Sequence, residues 1–162
     1  MEIKLCDRTR EDVEVFWRRM QDPEIQRFFP TGQQTLEEAL ALFEQACGPE
    51  ARSFGRVIMA QDTYIGDVWC YAIEQGEERH AMFSIVLFDP AWWGQGLAAK
   101  ATRLFLPEVQ ERFDVIRIGA FVYADHSRCI GLLRKLGFAE RERFVEEGRA
   151  SLYLEKRLDG LG

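Results

Sequence analysis

The sequence has no apolar run approaching the ~20 residues that crossing a bilayer demands. No apolar segment follows its charged start, MEIKLCDRTR, so neither a membrane span nor a secretory leader is expected, and the expected compartment is the cytoplasm. Metal-ligating residues are sparse. The two histidines, His80 and His126, lie far apart, and the four cysteines at 6, 47, 70 and 129 form no Cys-x-x-Cys pair, which argues against a zinc or other metal site. Disulfides do not persist in a reducing compartment, so at least three of the four cysteines are expected to be small core residues. Positive charge is in deficit: the formal net charge of −6 disfavours a nucleic-acid partner and leaves only a weak general attraction for a cationic one. No repeat, low-complexity tract or linker divides the chain, so residues 1–162 are expected to form a single domain. The sequence does contain 47% hydrophobic residues, enough for a core, and 30% charged residues, enough for a soluble surface.

The apolar residues alternate between helical and strand periods, which predicts a mixed α/β chain. Ile3 to Cys6 reads as a first strand. Thr9 and Asp12 read as a capping box before the helical stripe Val13, Phe16, Trp17 and Met20, which Asp22-Pro23 ends. Thr35 and Glu38 open a second helix with the stripe Leu36, Ala39, Leu40 and Phe43, stopped by Gly48-Pro49. Arg52–Ala60, Thr63–Ile73 and His80–Phe88 read as an antiparallel meander joined by Gln61-Asp62 and Gln75-Gly76, with a bulge expected at Gly66. A third helix follows from about Gly96 to Arg112, with Pro107 expected to kink it. Val115–Tyr123 is a strand. Ser127 is expected to cap a fourth helix that Gly137 terminates, and Ser151–Leu158 reads as a last strand.

The chemistry concentrates in Asp89–Lys100, DPAWWGQGLAAK, between a strand and a helix. Gly94 and Gly96 let backbone approach a ligand closely, and a helix start offers unpaired N–H groups and partial positive charge. Together they suit a phosphate or pyrophosphate. Two glycines also suit a plain strand-to-helix turn. The stretch is not a Walker loop, and it lacks the third glycine of a dinucleotide fingerprint.

Trp93-Gly94-Gln95-Gly96-Leu97-Ala98 resembles the acetyl-CoA pyrophosphate loop of the GNAT superfamily of N-acetyltransferases, Gln/Arg-x-x-Gly-x-Gly/Ala, with Trp93 departing from Gln/Arg. A Trp-Gly start is similar to the branch that acetylates ribosomal-protein N-termini. That branch also carries Asn-x-x-Ser and then Leu-Glu-Lys-x-Gly-Phe. Here His126-Ser127-Arg128-Cys129 precedes Leu133-Arg134-Lys135-Leu136-Gly137-Phe138. Asp22-Pro23-Glu24 after an amphipathic helix is similar to the same branch.

The resemblance implies a mixed, mostly antiparallel sheet with helices on both faces, an α/β (α+β) GNAT-like domain whose fourth and fifth strands splay. It implies acetyl-CoA as co-substrate, with its pantetheine arm on Val86, Leu87 and Phe88 and its pyrophosphate on Gly94, Gln95, Gly96, Leu97, Ala98 and Ala99. The reaction implied is direct acetyl transfer to a primary amine, a protein N-terminus or a small amine, in a ternary complex. The chain is then expected to act as a monomer or homodimer, with no membrane or nucleic-acid partner.

The chemistry requires an ammonium with a pKa near ~10 to lose a proton, an oxyanion to be stabilised, and the leaving thiolate to gain a hydrogen bond. One branch uses a Tyr as the acid, and Leu133 stands at that position. The ribosomal-protein branch uses a Ser where Cys129 stands. Cys129 is thus a candidate donor, and its place near a helix start is expected to lower its pKa. His126 replaces the Asn that contacts pantetheine, so it is a candidate for cofactor contact, for proton shuttling near pH ~6.5, or for both. The base positions of other branches fall on Phe121 and Phe83, leaving Glu74, Asp67 or a water relay. Trp69, Tyr71, Phe28 and Phe29 are candidates for lining an acceptor pocket. A non-catalytic acyl-CoA-binding module or sensor is the alternative function.

Overall fold

The computed structural model describes residues 1–29, 34–48 and 50–159. The sheet starts with β1 (Ile3–Asp7), and local capping then sets the helices. At α1 (Arg10–Arg19), the Asp12 N–H donates to the Thr9 hydroxyl at 3.2 Å and the Thr9 N–H donates to the Asp12 carboxylate at 2.9 Å. Two donors that a helix start leaves orphaned are thereby satisfied. Asp22-Pro23, expected only to end that helix, instead opens a one-turn helix, α2 (Pro23–Gln26), whose Glu24 N–H donates to Asp22 at 2.9 Å. Thr35 and Glu38 cap α3 (Leu36–Ala46) reciprocally. Pro49, expected to stop that helix, lies outside the described residues.

Three antiparallel strands follow as expected: β2 (Phe54–Ala60), β3 (Thr63–Glu74) and β4 (His80–Leu87). After them come α4 (Leu97–Phe113), which continues through Pro107, then β5 (Arg117–Tyr123), α5 (Ser127–Lys135), β6 (Ala139–Glu146) and β7 (Arg149–Arg157). The sheet order is β1-β2-β3-β4-β5-β7-β6. β6 has no counterpart in the sequence reading. Its sequence AERERFVE lies almost wholly exposed on the sheet edge, so no apolar alternation announces it.

α4 and α5 cover one face, where Phe105, Val109 and Leu133 join Ile58, Val68, Phe83 and Ile118 in the main core. On the other face Phe16, Met20 and Ile25 pack on Trp69, Val86 and Phe88. Of the cysteines expected inside, only Cys70 is fully buried. Cys6 and Cys129 are half-buried and Cys47 is exposed, and all four are free thiols.

β4 and β5 run parallel and pair only at His80–Arg117, Ala81–Ile118 and Met82–Gly119. Beyond that point β4 stays with β3 and β5 with β7, so the sheet opens into a V. Gly66 fixes the near wall. Ile58 pairs with Gly66 and Met59 with Tyr64, so Ile65 is the bulged residue beside Gly66. A Cβ on Gly66 would collide with the Val86 carbonyl of β4. Gly66→Ala is therefore expected to destabilise the protein by about 2 kcal/mol through overpacking, read as a lower urea midpoint at unchanged slope.

Candidate active site

The V opens into a cavity of about 300 Å³ between β4, the loop after it and α5. In an antiparallel pair, alternate residues turn both backbone groups to the same neighbour. The Phe88 N–H donates to the Ile65 carbonyl of β3 at 2.9 Å, so Val86 faces β3 as well, while Leu87 and Ile85 face the cleft. The Leu87 carbonyl accepts the Trp93 indole N–H at 3.1 Å, which pins that ring at the cavity wall. The Leu87 N–H and both backbone groups of Ile85 thus face the opened edge, where no strand continues the ladder. Val86 and Leu87 line the cavity. Phe88 does not, and its ring is buried against Phe16 and Tyr64.

The loop is shaped by its two glycines. Gly94 and Gly96 have φ of 76° and 78°, in the left-handed region, while a Cβ at either position would meet no neighbour. Conformation, not crowding, therefore selects glycine here. The Gln95 side chain turns away to brace the loop, donating to the Ala91 carbonyl at 2.7 Å, and it does not line the cavity. Lys100 is the first residue of α4 whose N–H is taken, by Gly96 at 3.1 Å. The N–H groups of Leu97, Ala98 and Ala99 have no helical acceptor, and they face a loop that carries the positive end of the helix. All three residues line the cavity with Gly94 and Gly96.

Arg128 and Lys135 add positive charge, and the Arg128 guanidinium stands 3.4 Å from the Trp93 ring centroid. From the sequence Lys135 is expected only as a last-turn cation of the fourth helix, and Arg128 has no assigned role. The available signal was their spacing on one helix behind His126.

His126, not Ser127, occupies the N-cap of α5, and its side chain makes no capping bond. The ring is stacked on Phe28 with centroids 3.8 Å apart and planes at 14°. Burial, reinforced by Arg128, lowers its pKa from 6.5 to about 4. The expected titration near neutrality is therefore overturned, and the imidazole is neutral there. Arg128 Nη2 approaches His126 Nε2 at 3.5 Å. A guanidinium only donates, so Nε2 is the acceptor and the proton belongs on Nδ1.

Cys129 lines the same cavity, and its thiol also departs from expectation. Burial raises its pKa to about 11 against the opposing pull of Arg128, so the group stays S–H at neutral pH and is a donor, not a nucleophile. Asp67 is excluded as a base. It is fully buried, pairs with Arg8 at 2.5 Å and accepts the Tyr64 hydroxyl, and burial pushes its pKa up. Glu74 is exposed at the end of β3. Leu133 and Phe83 are buried core residues, and Phe121 is exposed on the far side of the sheet.

A small hollow of about 30 Å³ continues the cleft through the V, lined among others by Phe28, Phe29, Ser84, Phe121, His126 and Cys129. Trp69 does not line it and instead meets Phe16 edge-on at 5.5 Å. A clasp roofs this passage. Arg149 donates to the Arg27 carbonyl at 2.7 Å, pairs with Asp125 at 3.4 Å and lies 3.5 Å over the Tyr123 ring, tying the Phe28 segment down onto His126. Among the described residues, no group of three His, Cys, Asp or Glu side chains could hold a metal ion, and no helix is long and apolar enough to cross a membrane.

A family model described as an acetyltransferase (GNAT) domain matches residues 3–139. By sequence, no curated protein matches. Among solved structures, spermidine N-acetyltransferase from Vibrio cholerae in complex with CoA and spermine is similar, with 19% identity and a TM-score of 0.85 over 97% of this chain and 96% of that one. A ribosomal L7/L12 α-N-protein acetyltransferase, solved with CoA in a disulfide to one of its cysteines, has 15% identity and a TM-score of 0.83 over 97% and 94%. An aminoglycoside acetyltransferase in complex with coenzyme A has 15% identity and a TM-score of 0.80 over 98% and 96%. At these identities the likeness shows the fold.

The state of His126 is testable through stability. Above pH ~6.5 both folded and unfolded forms hold it neutral. As the pH falls, the unfolded chain takes the proton first, so stability is lost between that pH and about 4, and the loss levels off below. The Tm of the wild type should fall more steeply across this window than that of His126→Asn. Parallel Tm curves would show that the ring titrates normally.

Proposed function

The chain belongs to the GNAT acetyltransferase family, and on that footing we propose that it moves the acetyl group of acetyl-CoA to a primary amine by direct transfer in a ternary complex. One observation carries this reading: a strand edge with free backbone groups and a helix start with free N–H groups open onto one cavity. Acetyl-CoA has amides along its pantetheine arm and a pyrophosphate beyond it, and the two features suit those groups in that order. Ile85 and Leu87 would pair with the amides. The N–H groups of Leu97, Ala98 and Ala99, with Arg128 and Lys135 nearby, would hold the phosphates. The named relatives act on spermidine, an aminoglycoside and a ribosomal protein, which supports an amine as acceptor.

For the chemistry, the amine nitrogen in its neutral form attacks the thioester carbonyl, the carbon–sulfur bond breaks, and the N–H proton that the nitrogen sheds passes through water to the departing coenzyme A thiolate. A cleft-facing N–H of β4 would stabilise the oxygen that gains charge. The protonated Cys129 thiol would donate a hydrogen bond to the departing sulfur. His126, neutral and stacked, serves as a wall and contact for the pantetheine arm and not as a proton shuttle. A non-catalytic acyl-CoA-binding module is favoured by one observation, the apolar Leu133, Phe83 and Phe121 at positions where other branches place acid or base. Release of free thiol on adding amines to protein and acetyl-CoA separates the two readings.

Substitutions at two positions test the assignments. Gly96→Glu places a carboxylate at the anion seat and forces a side chain into the left-handed region, so acetyl-CoA binding should be lost by calorimetry while the circular dichroism spectrum stays native. Unchanged affinity would remove the loop from the site. Cys129→Ala should lower turnover by roughly 10²-fold, the low end for a positioned proton donor, and Cys129→Ser should retain most activity. Equal rates in the three proteins would reduce Cys129 to packing.

A further inference from the structure

The hollow through the V is where an acceptor meets the thioester, and its lining divides by face. Side chains alternate along a strand. Phe83, Ile85, Ala120 and Val122 join the main core on the α4–α5 face, so Ser84 and Phe121 between them belong to the α1 face. The acceptor side of the hollow is thus Ser84, Phe121, Phe28, Phe29 and the His126 ring. None of these groups is set to take a proton. Nε2 of His126 is occupied by the Arg128 guanidinium at 3.5 Å, and the other ring nitrogen already carries a proton. Cys129, across the hollow, is held as a thiol by burial. No carboxylate lines the hollow among the described residues, and residues 30–33, PTGQ, which follow Phe29 in the chain, contain none.

The charges on the surrounding elements lie outside it. Glu24 lines the deep cavity, with Arg128 and Lys135, and not the hollow. Asp125 is held between Arg149 at 3.4 Å and Arg27 at 3.9 Å. On β6, Glu142 and Glu146 stand opposite Tyr153 and Arg149. Lower on the sheet, Glu155 accepts the Tyr153 hydroxyl at 2.8 Å, with His80 and Arg117 at 3.7 Å, Arg157 acting on it and Arg141 acting on the phenol. The Phe28 ring carries Arg27 at 5.1 Å and Arg149 at 5.8 Å and is stacked on His126, so its attraction for a cation is already used. An ammonium in the hollow would lose its water with no counter-charge in contact. A neutral amine would not. It gives one N–H to the Ser84 hydroxyl and keeps its lone pair for the thioester.

Outside the hollow the α1 face stays aromatic. Phe121 is 58% exposed, and its ring meets Tyr153 at 5.3 Å and Phe144 at 5.9 Å between centroids. The three rings form an open shelf continuous with the hollow, because Phe121 belongs to both. We propose that the site takes its acceptor only in the neutral form, and that the acceptor class is a weakly basic amine on an aromatic or apolar body, with the nitrogen at Ser84 and the body on the Phe121 shelf. An amine with a pKa of about 10 is almost wholly charged at pH 7 and must shed a proton to enter, whereas a weaker base is largely neutral already. Aromatic amines and amines beside an electron-withdrawing group meet this condition. The proposal rests on the acetyl-transfer reading for the position of the reacting nitrogen.

Two probes of nearly equal shape isolate basicity: 2-phenylethylamine and its β,β-difluoro analogue, whose fluorines withdraw electrons and lower the amine pKa. Below both pKa values, each unit of difference raises the neutral fraction about tenfold. At saturating acetyl-CoA and pH 7, kcat/KM for thiol release should favour the difluoro amine by about tenfold. The rising limb of each pH profile should end at that amine's own pKa. Calorimetry into protein saturated with coenzyme A, in two buffers of different ionisation enthalpy, should show about one proton released per phenylethylamine bound. Phe121→Glu puts a carboxylate at an exposed position of the hollow, so it should abolish that release and reverse the preference. Phe144→Ser should weaken both amines alike. A rising limb at one pH for both amines, or phenylethylamine binding without proton release, overturns the neutral-amine site. A wild-type dimer that Phe144→Ser dissociates at unchanged amine affinity, read by sedimentation, gives the shelf to a second copy and overturns its role here. Failure of thiol release with proton-linked amine binding intact would sink acetyl transfer and leave the neutral-amine site standing.

Discussion

The parting of β4 and β5 is the constraint on which the rest depends. Three residue pairs hold the two strands parallel, and then each follows its other neighbour. Ending the ladder there leaves backbone donors and acceptors on an inner strand, where a sheet ordinarily satisfies them. Such groups are costly to bury unpaired, so the opening requires water or a ligand with amides of its own. The Gly94–Gly96 loop and the start of α4 stand at one end of this opening and α5 along its side. The bulge at Ile65 and the missing side chain of Gly66 let β3 press against β4 and hold its edge in place.

Burial outweighs local dipoles in setting the chemistry of the cleft. A helix start favours an exposed anion by about 0.3–1 kcal/mol. Burial carries the Cys129 thiol from 9.0 to about 11, a cost to the thiolate of roughly 3 kcal/mol. The same competition decides His126, whose charged form is opposed by the Phe28 stack and by Arg128 beside it. Both groups keep their protons in fixed places at neutral pH, which suits hydrogen-bond donors and contacts better than bases.

Much of this was legible in the sequence, for identifiable reasons. Thr9, Thr35 and the meander are governed by short-range rules, and they appear where those rules place them. The family motifs located the loop and His126. Three kinds of feature escaped. β6 is an exposed edge strand of charged residues, held by pairing with β7 and not by burial of its own side chains. The two displaced pKa values depend on burial, which a spacing rule does not supply. The distinction between Ile85 on β4 and Phe88 just beyond it rests on which neighbour each backbone group faces, and that follows only from the register with β3. Arg128 and Arg149 were invisible because each acts on partners brought near by the fold, Trp93 in one case and the Arg27 carbonyl in the other.

The Arg149 clasp has a kinetic consequence. Arg149 holds three partners from two segments at once, the Arg27 carbonyl, Asp125 and the Tyr123 ring. They part together and not one at a time, so the Phe28 segment lifts from His126 as a unit or stays down. The same segment lines both the deep cavity and the hollow. The width of the passage therefore takes two values and no gradation between them, and the rate of exchange between the two is set by a β7 side chain that lines neither cavity.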